Sequence, residues 1–269
     1  MRIYIITMDD PIHTYSFIKD IIDKQGDQIV GLAIPKGNRL TLSKGKSKIA
    51  YLFSLLLIMG PLQFLMSSFK TLSFKIKKKL FGIGWSKDPS IGGYAASKNI
   101  PVMHITTPNS KKFRDFLETL KLDLIINQSQ NIIKKDLLDI PKIGMLNRHN
   151  ALLPKNRGRL TPFWVIYNGD TVTGVSIHFV EEGIDSGQIV VQKKYVVDKK
   201  DNFNSLVKKN YEIASDAMNE AIDLIKMGYR EYLPNDDNYA TYNTTPSLKE
   251  ALDYRKKRIR SSLGLRNKN

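Results

Sequence analysis

The chain has 269 residues, of which 42% are hydrophobic and none is cysteine, and its formal net charge is +16 at pH 7. This length and composition are those of a globular protein with a sizeable core, and the lack of cysteine excludes disulfides, a thiolate nucleophile and thiolate metal sites. The four histidines show no metal-ligand spacing, so no metal is expected, and the positive charge favours substrates or surfaces that carry phosphate.

Segments with strand character alternate with segments of helical character along the chain. Strands are predicted at Arg2–Thr7, Gln28–Ala33, Val102–Ile105, Leu122–Asn127, Gly144–Asn147, Val172–Val180 and Gln188–Val197. Helices are predicted at Tyr15–Lys24, at Ser110–Leu120 with Asn109 as N-cap, and at Phe203–Met227. This alternation indicates an α/β fold with a mostly parallel central sheet and flanking helices. Met1 leads directly into the first strand, so we expect no secretory leader and a cytoplasmic location.

Residues 36–88 depart from this alternation. The 21 residues from Ile49 to Phe69 carry no charge, and lysines flank them on both sides. Their length could cross a bilayer, but Gly60 and Pro61 interrupt the apolar run and positive charge stands at both ends, which disfavours a single crossing. We therefore predict an inserted apolar helical hairpin. It either packs on the domain or on a dimer partner, or it associates with a membrane at the inner face.

The most informative stretch begins at Asn147. Asn147 and His149 stand two residues apart on a predicted strand, so their side chains point to the same side. The alternating strand Val175–Phe179 follows, and then an acidic, glycine-containing loop that carries Asp185. Polar side chains thus collect at the ends of apolar strands, where open α/β sheets place their sites.

The ordered motifs of this stretch resemble those of the folate-dependent formyltransferases. The motifs are Asn147-Arg148-His149, Leu152-Leu153-Pro154, Arg157-Gly158, Thr173-Gly174-Val175 and Asp185-Ser186-Gly187. The family includes glycinamide ribonucleotide transformylase, methionyl-tRNA formyltransferase and the sugar N-formyltransferases. The resemblance implies a Rossmann-like catalytic domain over residues 1–200, with the insertion at 36–88. Residues 201–269 are expected to form a C-terminal helix and a polar, basic tail.

By this resemblance, the catalytic set is Asn147, His149 and Asp185. These residue types suit the transfer of a formyl group from N10-formyltetrahydrofolate to a neutral amine. An imidazole can carry protons near neutral pH or act electrostatically, and an amide can donate to a tetrahedral oxyanion. A carboxylate can polarise the imidazole or accept the amine proton through a water. His178 is expected only to hydrogen-bond near the site. Each residue taken alone would more often be a loop or turn residue, and their order favours catalysis.

The resemblance also places the folate between two loops. The first loop follows the strand Leu122–Asn127 and would contribute Gln130, Asn131, Ile132 and Ile133. The second loop would contribute Val180, Glu181, Glu182 and Ile184. Instead of binding folate, Ile132 and Ile133 could simply be core residues.

The acceptor is predicted to be the primary amine of an amino sugar on a nucleotide or a lipid phosphate. Asn150 and the sequence around Trp164 resemble the sugar branch, and Arg157 and Arg159 could contact phosphates. Trp164 could stack on a sugar or base, or belong to a helix core.

Other acceptors and another class of function stay open. Glycinamide ribonucleotide and methionyl-tRNA are alternative acceptors, and the chain after Val197 is too short and polar for the β-domain expected of a tRNA-binding relative. Nucleic acid is therefore the less favoured partner. A non-catalytic, folate-binding or membrane-associated relative is the alternative of a different class.

Overall fold

The computed structural model describes residues 1–36, 47–84 and 87–262, with only the backbone for 261 and 262. The strands are β1 (Ile3–Thr7), β2 (Ile29–Pro35), β3 (Val102–Ile105), β4 (Leu124–Gln128), β5 (Gly144–His149), β6 (Arg157–Gly158), β7 (Val172–Phe179), β8 (Ile189–Val196) and β9 (Tyr242–Asn243). The helices are α1 (Thr14–Gln25), α2 (Lys48–Met59), α3 (Pro61–Gly82), α4 (Ile91–Ser97), α5 (Lys111–Thr119), α6 (Lys135–Leu138), α7 (Thr161–Asn168), α8 (Phe203–Lys226) and α9 (Leu248–Ser262). Every predicted strand forms, each within two residues of its predicted ends.

A seven-stranded sheet organises the molecule, in the order β3-β2-β1-β4-β5-β7-β8. The first five strands are parallel, whereas β7 runs antiparallel to β5 and β8 antiparallel to β7. The expected α/β fold with a mostly parallel sheet is therefore confirmed. The antiparallel β7 matters for the site, because it brings the later polar residues back beside the end of β5.

Helices cover both faces of the sheet, and its central strands are accordingly apolar up to the polar residues at the ends of β4 and β5. All five residues of β1 are buried. Ile3 and Ile5 belong to the cluster that includes residues of α1 and α8, and Tyr4 and Ile6 to the cluster that includes residues of α5. Alternate residues of a strand point to opposite faces, so this single strand connects both cores.

The apolar insertion forms a helix–break–helix unit, as predicted. Gly60, with φ of +83°, separates α2 from α3, and the two axes differ by 119°. Ser54 and Ile58 of α2 are buried, whereas α3 buries no residue. Among the described residues no single helix has the length and apolarity to cross a membrane, and only the bent α2–α3 pair meets these criteria jointly. Lys44 and Lys46 lie outside the described residues.

The C-terminal segment is more integrated than a polar tail. Helix α9 begins where the Ser247 and Glu250 side chains cap each other's backbone N–H groups. Most of its basic residues are exposed, but Ala251 and Tyr254 are buried in a cluster with Ile58 of α2. The preceding residues pair β9 with β6 in a small parallel sheet.

One predicted helix cap is wrong. The residue before α5 is Ser110, and no side chain caps this helix. Asn109 instead donates to the backbone oxygen of Ile132, at 2.7 Å, and accepts from the backbone N–H of Lys134, at 3.0 Å. The Asn109 side chain therefore does not cap α5. Its two hydrogen bonds instead hold the loop after β4.

Candidate active site

The site lies at the edge of the sheet where β4 and β5 end. These strands are parallel, and their register aligns Asn127 with Asn147. On the other side of β5, Asn147 stands opposite His178 of the antiparallel β7. Side chains directly opposite in an antiparallel pair share one face, so Asn147 and His178 are neighbours.

His149 and Asp185 meet at this edge, with 3.4 Å between Nδ1 of the imidazole and Oδ2 of the carboxylate. The other ring nitrogen, Nε2, lies 2.7 Å from the backbone oxygen of Asn156. A carbonyl oxygen can only accept, so Nε2 carries a hydrogen. Both ring nitrogens of His149 therefore face oxygen atoms that can accept.

Asp185 is held through both its side chain and its backbone. The N–H of Gly158 donates to Asp185 Oδ2 at 2.8 Å. Asp185 itself has a φ of +49°, a backbone conformation that residues other than glycine seldom adopt. The amide of Asn235 stabilises this turn by donating to the backbone oxygens of Asp185 and Gly187, both at 2.8 Å.

His178 is a buried neutral imidazole. Its Nδ1 lies 2.7 Å from the backbone oxygen of Phe179, so Nδ1 carries the hydrogen. Its Nε2 then presents a lone pair, 3.5 Å from Nδ2 of Asn147 and 3.7 Å from Oδ1 of Asp185. Burial lowers the pKa of His178 to about 4, outweighing the opposing effect of the Asp185 carboxylate. His178 thus contacts two of the three predicted catalytic residues.

The orientation of the Asn147 amide is set by two neighbours. Gln128 donates from Nε2 to Asn147 Oδ1 at 3.0 Å. The Nδ2 group therefore points to the lone pair of His178 and keeps a second N–H for a ligand. Gln128 is a site residue that the sequence analysis missed. Its position, directly after the buried Asn127 at the end of β4, was the available signal.

Arg148 and two aromatic rings lie next to this amide. Arg148 donates to Gln128 Oε1, Asn150 Oδ1 and the Tyr211 hydroxyl, at 3.1, 2.6 and 2.9 Å. Its guanidinium lies 4.1 Å from the centre of the Tyr211 ring, on which His13 stacks at 4.7 Å. Burial, followed by Arg148 and Lys70, lowers the pKa of His13 to about 4. Sequence analysis did not single out this group.

The two predicted folate loops flank the site with different exposure. In the first loop Gln130 and Asn131 are exposed and Ile132 is 85% exposed, whereas Ile133 is buried in the core beside α5 and α6. The Ile133 side chain is therefore a core group.

The second loop is open along most of its length. Glu181 and Glu182 are exposed and Ile184 is 63% exposed. Val180 is half-buried and donates its N–H to the backbone oxygen of Met145 at 2.7 Å. Ile132 and Ile184 are thus exposed apolar side chains, one on each loop.

Arg157 does not contact a substrate phosphate, so that prediction is wrong. Its side chain is fully buried. The guanidinium donates to Asp237 and Tyr242, both at 2.6 Å, and to the backbone oxygen of Asn235 at 2.9 Å. Arg157 therefore fixes the C-terminal segment beneath the site.

The other three residues predicted to contact the acceptor differ in exposure and in bonding. Trp164 is buried and donates from Nε1 to the backbone oxygen of Thr244 at 2.9 Å, so the core alternative holds for this residue. The Oδ1 of Asn150 is occupied by Arg148. Arg159 is exposed, which keeps it as a candidate for a phosphate contact.

These groups form a site of the acyl-transfer kind. It combines an amide donor suited to an oxyanion with a carboxylate that lies between two imidazoles. The described part of the chain contains no group of three His, Asp or Glu side chains that could hold a metal ion.

Comparison with known proteins identifies the family. A family model described as formyl transferase matches residues 71–222, more than half of the chain. The chain therefore belongs to the formyl transferase family, as its motifs indicated.

Curated relatives share about a third of their residues with this chain over the matched part. The bifunctional polymyxin resistance protein ArnA of Wigglesworthia glossinidia brevipalpis is 34% identical over 144 residues, which cover 53% of this chain and 22% of that protein. The methionyl-tRNA formyltransferase of Syntrophus aciditrophicus is 31% identical over 163 residues, 60% of this chain and 52% of that protein. The chain thus spans about half the length of the methionyl-tRNA formyltransferase.

Solved structures share the fold at lower identity. The phosphoribosylglycinamide formyltransferase of Anaplasma phagocytophilum gives a TM-score of 0.58 at 12% identity and covers 91% of this chain and 99% of its own. The N-formyltransferase of Helicobacter canadensis, solved with folinic acid and dTDP-3-aminofucose, gives 0.55 at 17%, covering 91% and 71%. Both support the Rossmann-like formyltransferase fold.

Proposed function

We propose that this protein transfers the formyl group of N10-formyltetrahydrofolate to the primary amine of an amino sugar carried on a nucleotide or a lipid phosphate. The observation that carries the proposal is the position of the Asp185 carboxylate, within 3.7 Å of the imidazoles of His149 and His178, the second of which also meets the amide of Asn147. Membership of the formyl transferase family supports it.

Asp185 is the group that takes up the amine proton, directly or through a water. Its Oδ2 is engaged by His149 and by the N–H of Gly158. Its Oδ1 faces the lone pair of His178, which cannot donate to it in the neutral tautomer. Oδ1 therefore has accepting capacity left for the proton of an attacking amine.

His149 acts mainly by orienting and electrostatically supporting this carboxylate. Both of its nitrogens are engaged, by Asp185 and by the backbone oxygen of Asn156. A ring engaged at both nitrogens is poorly placed to shuttle a proton to the substrate, and it instead holds the Asp185 carboxylate beside the reacting centre.

Asn147 stabilises the tetrahedral oxyanion. The amine nitrogen forms a bond to the formyl carbon, and the second N–H on Asn147 Nδ2 donates to the oxygen as it gains charge. The bond from the carbon to folate N10 then breaks, and N10 gains the proton that the amine lost. The alignment of this amide by Gln128 and His178 removes the need to reorganise it during the reaction.

The folate ring binds between the two loops and packs against the exposed apolar side chains of Ile132 and Ile184. A flat, partly apolar ring gains from contact with such side chains, and backbone groups of the loops supply its hydrogen bonds. Asn109 fixes the first loop by bonding to Ile132 and Lys134.

An amino-sugar acceptor agrees with the aromatic and cationic groups beside Asn147. The stacked rings of His13 and Tyr211 offer an apolar surface, and Arg148 adds positive charge. The Helicobacter canadensis N-formyltransferase and the Anaplasma phagocytophilum phosphoribosylglycinamide formyltransferase each match over 91% of this chain, so the fold agrees with either acceptor. The second candidate acceptor is methionyl-tRNA, favoured by curated relatives of that name at 31–38% identity.

An acceptor panel tests the proposal. Release of tetrahydrofolate is followed by absorbance with N10-formyltetrahydrofolate and, in turn, nucleotide-linked amino sugars, lipid-phosphate-linked amino sugars, glycinamide ribonucleotide and methionyl-tRNA. Turnover with an amino sugar alone is expected. Turnover only with tRNA or glycinamide ribonucleotide would overturn the acceptor class, and the absence of both turnover and folate binding would support a non-catalytic relative.

A further inference from the structure

The outer surface of α3 has the opposite polarity from that of an ordinary surface helix. Six large apolar side chains of α3 are half to three quarters exposed: Leu62, Leu65, Met66, Phe69, Leu72 and Ile76. At 100° per residue they fall within an arc of about 120°. The half-buried positions on the opposite side are Gln63, Phe64, Ser67, Thr71, Phe74 and Lys78. Surface helices normally turn the apolar stripe inward, so this stripe requires an external partner.

Lysines border the apolar stripe on both flanks. By helical position Lys70 and Lys77 lie on one side of the stripe, and Lys75 and Lys79 on the other. The sequence has no acidic residue between Asp27 and Asp88. Aliphatic lysine stems can lie along an apolar layer while their ammonium groups reach the anionic head groups above it.

The charge pattern selects an anionic bilayer rather than a second copy of the chain. A two-fold contact between identical α3 stripes would bring the same patch against itself. The bordering lysines of one copy would then face those of the other, without acidic residues to neutralise them. An anionic lipid surface instead matches both the apolar stripe and its positive borders.

The position of α3 on the protein body is fixed. Its partner helix α2 is anchored by the buried Ile58, and Asn204 donates to the backbone oxygen of Met59 at 2.7 Å. At the far end of α3, Lys78 pairs with Asp9 in the loop after β1. The helix is therefore attached at both ends, which leaves its outer face available as one surface.

We propose that α3 docks the protein on an anionic membrane surface, with the acceptor side of the site close to the bilayer. Lys78 of α3 pairs with the loop after β1 that carries His13, and His13 stacks on Tyr211 beside Arg148. This chain of contacts connects α3 to the amide of Asn147 through Gln128. The closeness of the acceptor side to the bilayer rests on the proposed function, and it favours an acceptor amine presented by a lipid-phosphate carrier.

Vesicle binding tests the docking. The full chain is sedimented with vesicles of phosphatidylcholine alone and of phosphatidylcholine mixed with phosphatidylglycerol. Binding to the anionic vesicles that weakens with added salt is expected. Phe69→Glu, in the middle of the stripe, should weaken it about tenfold or more. Val196→Glu is the matched control, because Phe69 and Val196 are both 72% exposed and take the same charge change. It should bind like the wild type.

Two outcomes would overturn the docking. One is equal sedimentation of the wild type with and without anionic vesicles. The other is a wild-type dimer in analytical ultracentrifugation that Phe69→Glu converts to a monomer, which would make α3 a contact between copies.

A separate assay distinguishes failure of the docking from failure of the proposed function. Formyl transfer to a soluble amino-sugar nucleotide should be unchanged by Phe69→Glu, whereas transfer to a vesicle-borne acceptor should fall. Vesicle binding without any formyl transfer would overturn the proposed function and leave the docking intact.

Discussion

The carboxylate of Asp185 contacts the imidazole of His149, with 3.4 Å between Oδ2 and Nδ1, although the two residues lie on different elements. His149 ends β5, and Asp185 stands in the loop after β7 in a left-handed backbone conformation. The contact therefore depends on what holds that loop in place. The main support is the segment that precedes β9.

Asn235 is the first test of this dependence. Asn235→Ala removes three hydrogen bonds. Two run from its amide to the backbone oxygens of Asp185 and Gly187, and in the third its Oδ1 accepts from Arg157. Loss of about 1–1.5 kcal/mol of positioning would lower kcat about tenfold, with a smaller change in the KM for folate. The exposed Asn238 lies in the same segment, and Asn238→Ala should leave kcat unchanged. Equal kcat for both variants would contradict a positioning role for Asn235.

Gly158 is a second point at which the C-terminal segment meets the site. It has φ of +102°, and a Cβ there would lie 2.1 Å from the backbone oxygen of Asn243. Gly158→Ala should therefore displace β9 and lower the free energy of unfolding by about 1–3 kcal/mol. Gly26, whose added Cβ would meet nothing within 4 Å, provides the control. Denaturant unfolding of both variants checks the difference, and similar stabilities would show that β9 does not constrain Gly158.

The histidines predict how stability depends on pH. Burial lowers the pKa of His13 and of His178 from 6.5 to about 4. Between pH 6.5 and 4 the unfolded chain therefore binds more protons at these sites, so stability falls as the pH falls. Each histidine contributes a slope of up to about 1.4 kcal/mol per pH unit.

Chemical unfolding at several pH values measures this slope. His13→Gln and His178→Gln should each make the loss of stability between pH 6.5 and 4 shallower than in the wild type. His104 is exposed on β3, so His104→Gln should leave the slope unchanged. A wild-type slope in His178→Gln would mean that His178 is charged in the folded protein.

The same substitution, arginine to lysine, is expected to have different effects at Arg157 and at Arg159. Arg157 is buried and donates to three residues of the C-terminal segment. A lysine cannot reproduce this planar set of donors, so Arg157→Lys should lower the free energy of unfolding by about 1–3 kcal/mol. Arg159→Lys, at an exposed position, should leave stability unchanged and raise the acceptor KM if Arg159 contacts a phosphate. Thermal unfolding and steady-state kinetics separate the two effects. Equal stability losses would contradict the distinction.

The sequence predicted the sheet well because its strands carry a strong local signal. The buried strands β1 and β4 are short apolar runs bounded by polar residues, and the ordered motifs placed Asn147, His149 and Asp185. The structure brings these three residues to one sheet edge. The break at Gly60 was also predictable, because glycine followed by proline interrupts a helix.

Contacts between distant segments could not be predicted from the sequence. An arginine beside a glycine is typical of an exposed loop, and Arg157 is buried only because residues 235–242 cover it. That segment lacks any helical or strand period. The different exposures of Ile132 and Ile133 likewise depend on the packing of Ile133 against the core beside α5.

The most direct test of the account is the turnover number of His149→Gln and Asp185→Asn in folate-dependent formyl transfer, with His104→Gln as control. The account predicts that both site variants fold, bind folate and lose about 10²–10⁴-fold in kcat, the usual range for such groups, while the control keeps wild-type activity. Wild-type kcat in Asp185→Asn would contradict the proposed role of this carboxylate.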